Sequence, residues 1–457
     1  MTQVFSQNVN LPVSTSQAFD WHARPGALER LIPPWESVEL GARSENLCEG
    51  ATVELLNRLG PLKMRWLVEH FDFEPGRRFC DVQRSGPFTA WKHFHLFHSL
   101  ENPHSCVLED RIEYQLPGGW LGNLLASRWT RKQIQRMFDY RHETTSKDLA
   151  AHRQYADQGK LCVAVSGARG LIGSELIPLL TTGGHEVTRL VRRQPEHGEV
   201  GWNPLAKRFD ERTLHGIDAV VHLAGENIAA GRWTPNLKER IRESRVNGTR
   251  VLCEALARMQ NPPKVLVAAS AIGFYGHRGD DMVDESNHPG AGFLPDVCKD
   301  WEAATQPAQD AGIRVVNLRI GVVLSPQGGA LAKMLTPFKL GLGGRIGNGH
   351  QYWSWISIDD VAVTILHALM TESLHGPVNA VAPNATTNDE FTQTLGRVLR
   401  RPTKLPMPAV AAKLVLGEMA NDLLLASTRV RPGKLIESGY HFRQPTLEKS
   451  LQHVLGR

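Results

Sequence analysis

The chain has no C-x-x-C pair and no finger-like cysteine spacing; its six cysteines (48, 80, 106, 162, 253 and 298) are scattered over 457 residues. That scatter argues against a disulfide framework or a zinc ribbon and fits free thiols in a reducing compartment. The opening Met-Thr-Gln-Val-Phe-Ser-Gln has neither a basic n-region nor an apolar h-region. No secretion signal is expected, and the expected location is cytoplasmic. Long apolar runs are also lacking. The most apolar late stretch, Ala409 to Ser427, is interrupted by Lys413, Glu418 and Asp422, which argues against a membrane span. No block of like charge stands out, and a net charge of +5 over this length gives no reason to expect nucleic acid. Repeats and low-complexity tracts are absent. With 41% hydrophobic and 22% charged residues the chain is globular, and its length calls for two or three domains.

The most informative segment is Leu161-Cys-Val-Ala-Val-Ser-Gly-Ala-Arg-Gly-Leu-Ile-Gly173. A short β-branched run breaks into glycines and then continues as a helical pattern, so a buried strand, a tight turn and a helix N-terminus are expected. Gly167 permits the turn, Gly170 lets backbone N–H groups approach a pyrophosphate, and Gly173 lets helix and strand pack closely. Free amides and the helix dipole favour an anion. The expected cofactor-binding loop is therefore Gly167, Ala168, Arg169, Gly170, Leu171, Ile172 and Gly173. Strands at Val187–Val191, Asp218–Leu223, Lys264–Ala269 and Arg314–Leu318 alternate with helical patterns at Leu237–Met259 and Val297–Ala311. That rhythm implies a Rossmann-type doubly wound parallel sheet. An acidic side chain usually closes the second strand of an NAD site, whereas a 2′-phosphate calls for arginine. The chain reads Leu190-Val-Arg-Arg193 there, so Arg192 and Arg193 favour NADP(H) over NAD(H). Asp218-Ala-Val-Val-His-Leu-Ala-Gly-Glu-Asn227 resembles the strand whose small residues pass under the adenine and ribose, which adds Leu223, Ala224 and Gly225 to the expected cofactor site.

The residues before the glycine loop need a domain of their own. Strand-like runs lie at Gln3–Leu11, Thr52–Leu56, Met64–Phe71, Arg78–Gln83, Thr89–Leu96 and Val107–Leu116, with a long basic helix from about Trp120 to Tyr140. Leu124, Leu125, Trp129, Ile134, Met137 and Phe138 are expected to form a stripe packed on the sheet. His93 and His95 share one face of a strand, but nothing nearby supplies further ligands at familiar spacing, so no metal site is expected.

The order GARGLIG, DAVVHLAGEN, SAIGFYG resembles the extended short-chain dehydrogenase/reductase superfamily, in particular its atypical NAD-dependent epimerase/dehydratase-like branch. Arg232-Trp-Thr234, Cys298-Lys-Asp-Trp-Glu302 and Trp353-Ser-Trp-Ile-Ser-Ile-Asp-Asp360 look like that branch's signature, and the tail from Asn384 to Glu448 looks like its small C-terminal domain. The first part resembles the α+β helix-grip fold of the START-like (SRPBCC) superfamily, which implies an apolar cavity for a hydrophobic ligand. The expected organisation is a START-like domain at 1–150, a linker at 151–160, the nucleotide-binding domain at 161–383 and the small domain at 384–457.

The resemblance implies a tyrosine four residues before a lysine as the acid/base pair. Here Leu294 and Cys298 fall at those positions, and no tyrosine lies between Tyr275 and Tyr352. Ser270 stands where a catalytic serine is usual, Tyr275 follows it closely, and these two are the catalytic candidates; Cys298 and Glu302 are alternatives on the helix. Trp353 and Trp355 stack on a flat ligand or pack in the core, and Gly341–Gly349 reads as a mobile loop near the pocket. Three functions stay open: an NADP(H)-dependent oxidoreductase or epimerase-like enzyme with an unusual acid/base set, a non-catalytic NADP(H) sensor, and a carrier acting through its first domain.

Overall fold

A computed structural model describes every residue except 1, 45, 60–61 and 205–208. The chain divides into two compact units. One comprises Met1–Gly159 with Pro178–Gly184 and Gly456; the other comprises Lys160–Ile177, His185–Leu455 and Arg457.

In the first unit, strands β1 (Gln3–Leu11), β2 (Val38–Arg43), β3 (Thr52–Leu59), β4 (Leu62–Glu74), β5 (Arg78–Ser85), β6 (Ala90–Ser99) and β7 (Cys106–Gln115) form one sheet in the order β1-β7-β6-β5-β4-β3-β2. All the pairings are antiparallel. The alternation in β7, buried at every second residue, puts Leu108, Asp110, Ile112 and Tyr114 on the inner face. Helix α1 (Thr15–Ala23) is set by a capping box in which Ser14 and Gln17 bond reciprocally. Helix α2 (Ala27–Leu31) carries Arg30, whose guanidinium meets Asp148 in a buried bidentate pair at 2.8 and 2.9 Å.

Asp148 lies on helix α3 (Gly119–Gln154), which is longer than the sequence suggests and runs into the expected linker as far as Gln154. The expected apolar stripe holds only in part. Ile134 and Phe138 are buried, but Leu124, Leu125 and Trp129 are exposed at 72%, 80% and 61%. Length explains this: a helix of 36 residues runs about 54 Å, whereas a ten-residue strand covers about 34 Å. The described buried residues of α3 begin at Thr130.

The interior of this unit is not uniformly apolar. Histidines 22, 93, 95 and 142 and Asp110 are buried together, with Phe79 stacked on His95 at 4.1 Å and Phe138 edge-on to His93 at 5.2 Å. Burial would lower the pKa of His95, but Asp110 and Asp81 outweigh it and push it up to about 9. Burial, with His95 nearby, pushes His22 down to about 4.

In the second unit, β8 (Cys162–Ser166), β9 (Glu186–Val191), β10 (Glu199–Gly201), β11 (Ala219–His222), β12 (Val265–Ala271), β13 (Arg314–Ile320) and β14 (Gly376–Ala380) form a parallel sheet in the order β10-β9-β8-β11-β12-β13-β14. This is a Rossmann-like sheet, with the reversal of strand order falling between β8 and β11. Val163, Val165, Val220, Val221, Leu266, Val267, Val316 and Leu318 have no exposed surface, and each such side chain stabilises the fold by roughly 1.5–3 kcal/mol. Helix α4 (Gly173–Thr182) follows β8, α5 (Pro235–Ala257) follows β11, and α6 (Phe293–Ala303) lies between β12 and β13. The helical pattern expected at Val297–Ala311 breaks after Ala303 and resumes at Gln306–Asp310. Among the described residues no helix is long and apolar enough to cross a membrane.

Candidate functional site

The glycine loop joins β8 to α4 at the carboxyl end of the sheet. Gly167 has φ +72°, and a Cβ there would stand 2.8 Å from the Leu223 carbonyl carbon. At Gly173 a Cβ would meet the Gly167 oxygen at 2.4 Å, so the helix starts closer to the strand than any side chain allows. The turn is closed by Gly170 N–H donating to Gly167 O at 2.8 Å. The amides of Arg169, Leu171 and Ile172 enter no backbone hydrogen bond among the described residues, and Arg169 and Gly170 are exposed. This is the geometry of an anion cradle. Ser166 Oγ lies 2.7 Å from His222 Nδ1 and accepts from the Leu223 and Ala224 amides at 3.2 and 3.3 Å, which fixes both strand ends. Burial pushes His222 down to about 4, so its ring is neutral.

Arg192 and Arg193 follow β9 and line a shallow cleft of about 450 Å³ together with Gly201 and Trp202. They are not equivalent. Arg193 is tied to its own loop through Glu199 at 2.8 Å and Glu196 at 3.0 Å. Arg192 is exposed and enters no ion pair among the described residues, which leaves its guanidinium available.

At the end of β12 the candidate catalytic residues enter a network. Ser270 Oγ donates to Glu302 Oε1 at 2.7 Å. Arg319, from β13, grips both Glu302 oxygens at 2.8 Å and donates to Tyr275 Oη at 2.9 Å. Tyr275 Oη in turn donates to Asn379 Oδ1 on β14 at 2.8 Å. Arg319 also lies 3.4 Å from the Phe274 ring centroid. Tyr275 is wholly buried, and burial pushes its pKa up to about 12, against the opposing pull of Arg319. Its hydroxyl is engaged by Arg319 and Asn379. Cys298 is buried, and burial, with Glu302 close by, pushes its thiol up to about 12, so it is no thiolate nucleophile.

Arg319 and Asn379 were not legible as site residues. The one signal was an arginine inside a strand that is apolar but for Asn317, Val315-Val-Asn-Leu-Arg-Ile320. Arg245, half-buried on α5, donates to the Glu226 carbonyl at 3.0 Å and lies 5.1 Å from the Trp301 ring centroid. Trp353 and Trp355 resolve as core residues: Trp353 packs on Phe391 at 5.3 Å and Trp355 is 1% exposed. The glycine-rich Gly341–Gly349 segment is anchored rather than loose. Gly347 N–H donates to Met407 O at 2.9 Å, Met407 N–H to Arg345 O at 2.8 Å, and Ile346 N–H to Asn388 Oδ1 at 2.7 Å.

A parallel sheet with a glycine turn at its switch point and a serine-bearing strand end defines a nucleotide-binding fold of the short-chain dehydrogenase type. Residues 163–380 match the NAD dependent epimerase/dehydratase family, and residues 407–454 match a domain of unknown function, DUF1731. The chain is 44% identical over 296 residues to epimerase family protein Mb2239 of Mycobacterium bovis, covering 65% of this chain and 98% of that one. The chain therefore belongs to the epimerase family. Among solved structures, a nucleoside-diphosphate sugar epimerase from Corynebacterium glutamicum is 34% identical, with a TM-score of 0.82 over 99% of this chain and 90% of that one. Human epimerase family protein SDR39U1, solved with NADPH, is 37% identical with a TM-score of 0.61, covering 65% of this chain and 99% of that one.

Proposed function

We propose that the second unit binds NADP(H) and acts as an oxidoreductase or epimerase-like enzyme on a small or hydrophobic substrate, with a non-standard acid/base set. The observation that carries this is the unengaged Arg192 beside the cleft that follows β9, together with the open amides of the glycine loop. Arg192 would take the 2′-phosphate, with Arg193 holding the loop in shape. The segment from Gly167 to Gly173 would take the pyrophosphate, and Leu223, Ala224 and Gly225 would pass under the adenosine. The human relative solved with NADPH supports the same choice of cofactor. NADP(H) supplies hydride exchange at the nicotinamide when bound.

Of the catalytic candidates, Ser270 fits a hydroxyl that orients through Glu302, and Tyr275 fits a positioning residue beneath the nicotinamide side. The substrate would lie between the nucleotide-binding portion and the C-terminal portion from residue 384. The second reading, a non-catalytic NADP(H) sensor, is favoured by the sequestered Tyr275 hydroxyl and by Leu294 and Cys298 on α6. For the first unit, the antiparallel sheet and long final helix support a START-like helix-grip fold for a hydrophobic ligand, although its buried histidines and carboxylates make the middle of that interior polar. The test is NADPH oxidation against a panel of carbonyl compounds, run beside epimer formation from nucleoside-diphosphate sugars in the presence of NADP+, which consumes no net cofactor. Turnover supports the enzyme; NADPH binding without turnover across the panel supports the sensor.

A further inference from the structure

The functional reading leaves unused a set of ionisable groups inside the first unit. Asp81 on β5 pairs across the sheet with His70 on β4 and His93 on β6, and His95 pairs with Asp110 on β7. We propose that Asp81, His93 and His95 form a site for a divalent transition metal of the zinc class, held from behind by Asp110.

The geometry has three parts. First, one atom from each of the three residues can be chosen so that all lie within 4.8 Å of one another. Asp81 Oδ2 stands 3.6 Å from His93 Nδ1 and 3.3 Å from His95 Nε2. Bonds of about 2.0–2.1 Å at tetrahedral angles place neighbouring ligand atoms roughly 3.3 Å apart. Second, the far nitrogens, His93 Nε2 and His95 Nδ1, each lie 2.8 Å from Asp110 Oδ1. This is the outer carboxylate that fixes the tautomer of a metal-bound imidazole. His142 Nε2 braces the other Asp110 oxygen at 2.6 Å, and His70 Nδ1 lies 2.5 Å from Asp81 Oδ1. Third, His95 Nδ1 and Asp81 Oδ1 lie 2.8 Å from Asp110 and 2.5 Å from His70 without forming a directed hydrogen bond, so pairing within the protein leaves the cluster short of a full set of bonds. Satisfying both nitrogens of both rings with protons would also set two imidazoliums with centroids 3.9 Å apart. An ion bound by His93 Nδ1, His95 Nε2 and Asp81 keeps both rings neutral and leaves each one N–H for Asp110. A fourth position remains for water or a ligand heteroatom.

The full chain, untagged and stripped with chelator, is titrated with Co²⁺ and then with Zn²⁺. The expected result is one equivalent of Co²⁺ with the visible bands of a four-coordinate nitrogen–oxygen site, displaced by Zn²⁺. A thermal midpoint that rises with Zn²⁺ concentration should accompany it. His93→Ala and His95→Gln should each abolish the bands. Asp110→Asn should weaken binding about 10–100-fold, and His98→Ala, on the exposed end of β6, should leave it unchanged. A stripped wild-type chain that takes up no Co²⁺ overturns the proposal, as does equal uptake by the two histidine variants. The wild-type titration decides on its own where a variant fails to fold.

Discussion

Replacing Arg319 by leucine removes the centre of the network at the end of β12. Its guanidinium is 4% exposed and the Glu302 side chain 13%, and both carboxylate oxygens accept from it at 2.8 Å. Taking one partner from a buried ion pair leaves the other uncompensated and costs about 3–5 kcal/mol. The Tyr275 hydroxyl loses its donor at the same time. For a unit of this size the loss corresponds to a fall of roughly 6–20 °C in the thermal midpoint. Arg319→Leu with Glu302→Leu should be markedly more stable than Arg319→Leu alone, because no charge is then stranded; the Ser270 and Tyr275 hydroxyls keep recovery partial. Thermal unfolding of the wild type, both single variants and the double variant closes the cycle. As a control, Arg212→Leu breaks an exposed pair with Asp210 and should leave the midpoint unchanged. A single variant within a degree of wild type, or a double variant no better than Arg319→Leu, would refute the assignment of Arg319 as the buried hub.

Gly167→Ala should abolish NADPH binding, measured by fluorescence titration, because φ +72° and a Leu223 carbonyl carbon 2.8 Å from the new Cβ force the turn open. Tyr275→Phe should lower stability by about 1–3 kcal/mol, since a buried polar group loses its partner. With substrate turnover in hand, the same variant should keep the pH–rate profile of the wild type; loss of one limb would assign Tyr275 an acid/base role. Burial pushes His222 and His367 down to about 4, so both are neutral when folded and the unfolded chain binds their protons first. Stability of the second unit should therefore hold above pH 6.5 and fall between 6.5 and 4, by up to about 1.4 kcal/mol per pH unit for each histidine. Denaturant midpoints that rise over that interval would contradict the assignment.

The glycine loop and the parallel sheet could be read from the sequence because their signals are local. Strand, turn and helix N-terminus occupy consecutive residues, and each glycine has its own steric reason. What the reading missed depends on residues far apart in the chain. Arg319 and Asn379 come together only where β13 lies beside β14. His93 and His95 were seen, but Asp81 and Asp110 reach them across neighbouring strands, which no spacing rule encodes. Periodicity on α3 was real, yet it cannot report that the helix is longer than the strands beneath it. The tryptophan pair could be stacking or packing from sequence alone, and the burial of Trp355 among Leu324, Ile358 and Ala382 decided it.

The most direct test of the central claim is a parallel fluorescence titration of the wild-type chain and Arg192→Asp with NADPH and with NADH. A charge-assisted hydrogen bond to the 2′-phosphate is worth about 1.5–3 kcal/mol, so wild type should bind NADPH roughly 10–150-fold more tightly than NADH. Arg192→Asp should erase that gap while leaving NADH within about threefold, since the pyrophosphate cradle and the adenosine strand end are untouched. Equal affinity of the wild type for the two cofactors, or equal losses for both in Arg192→Asp, would contradict the account.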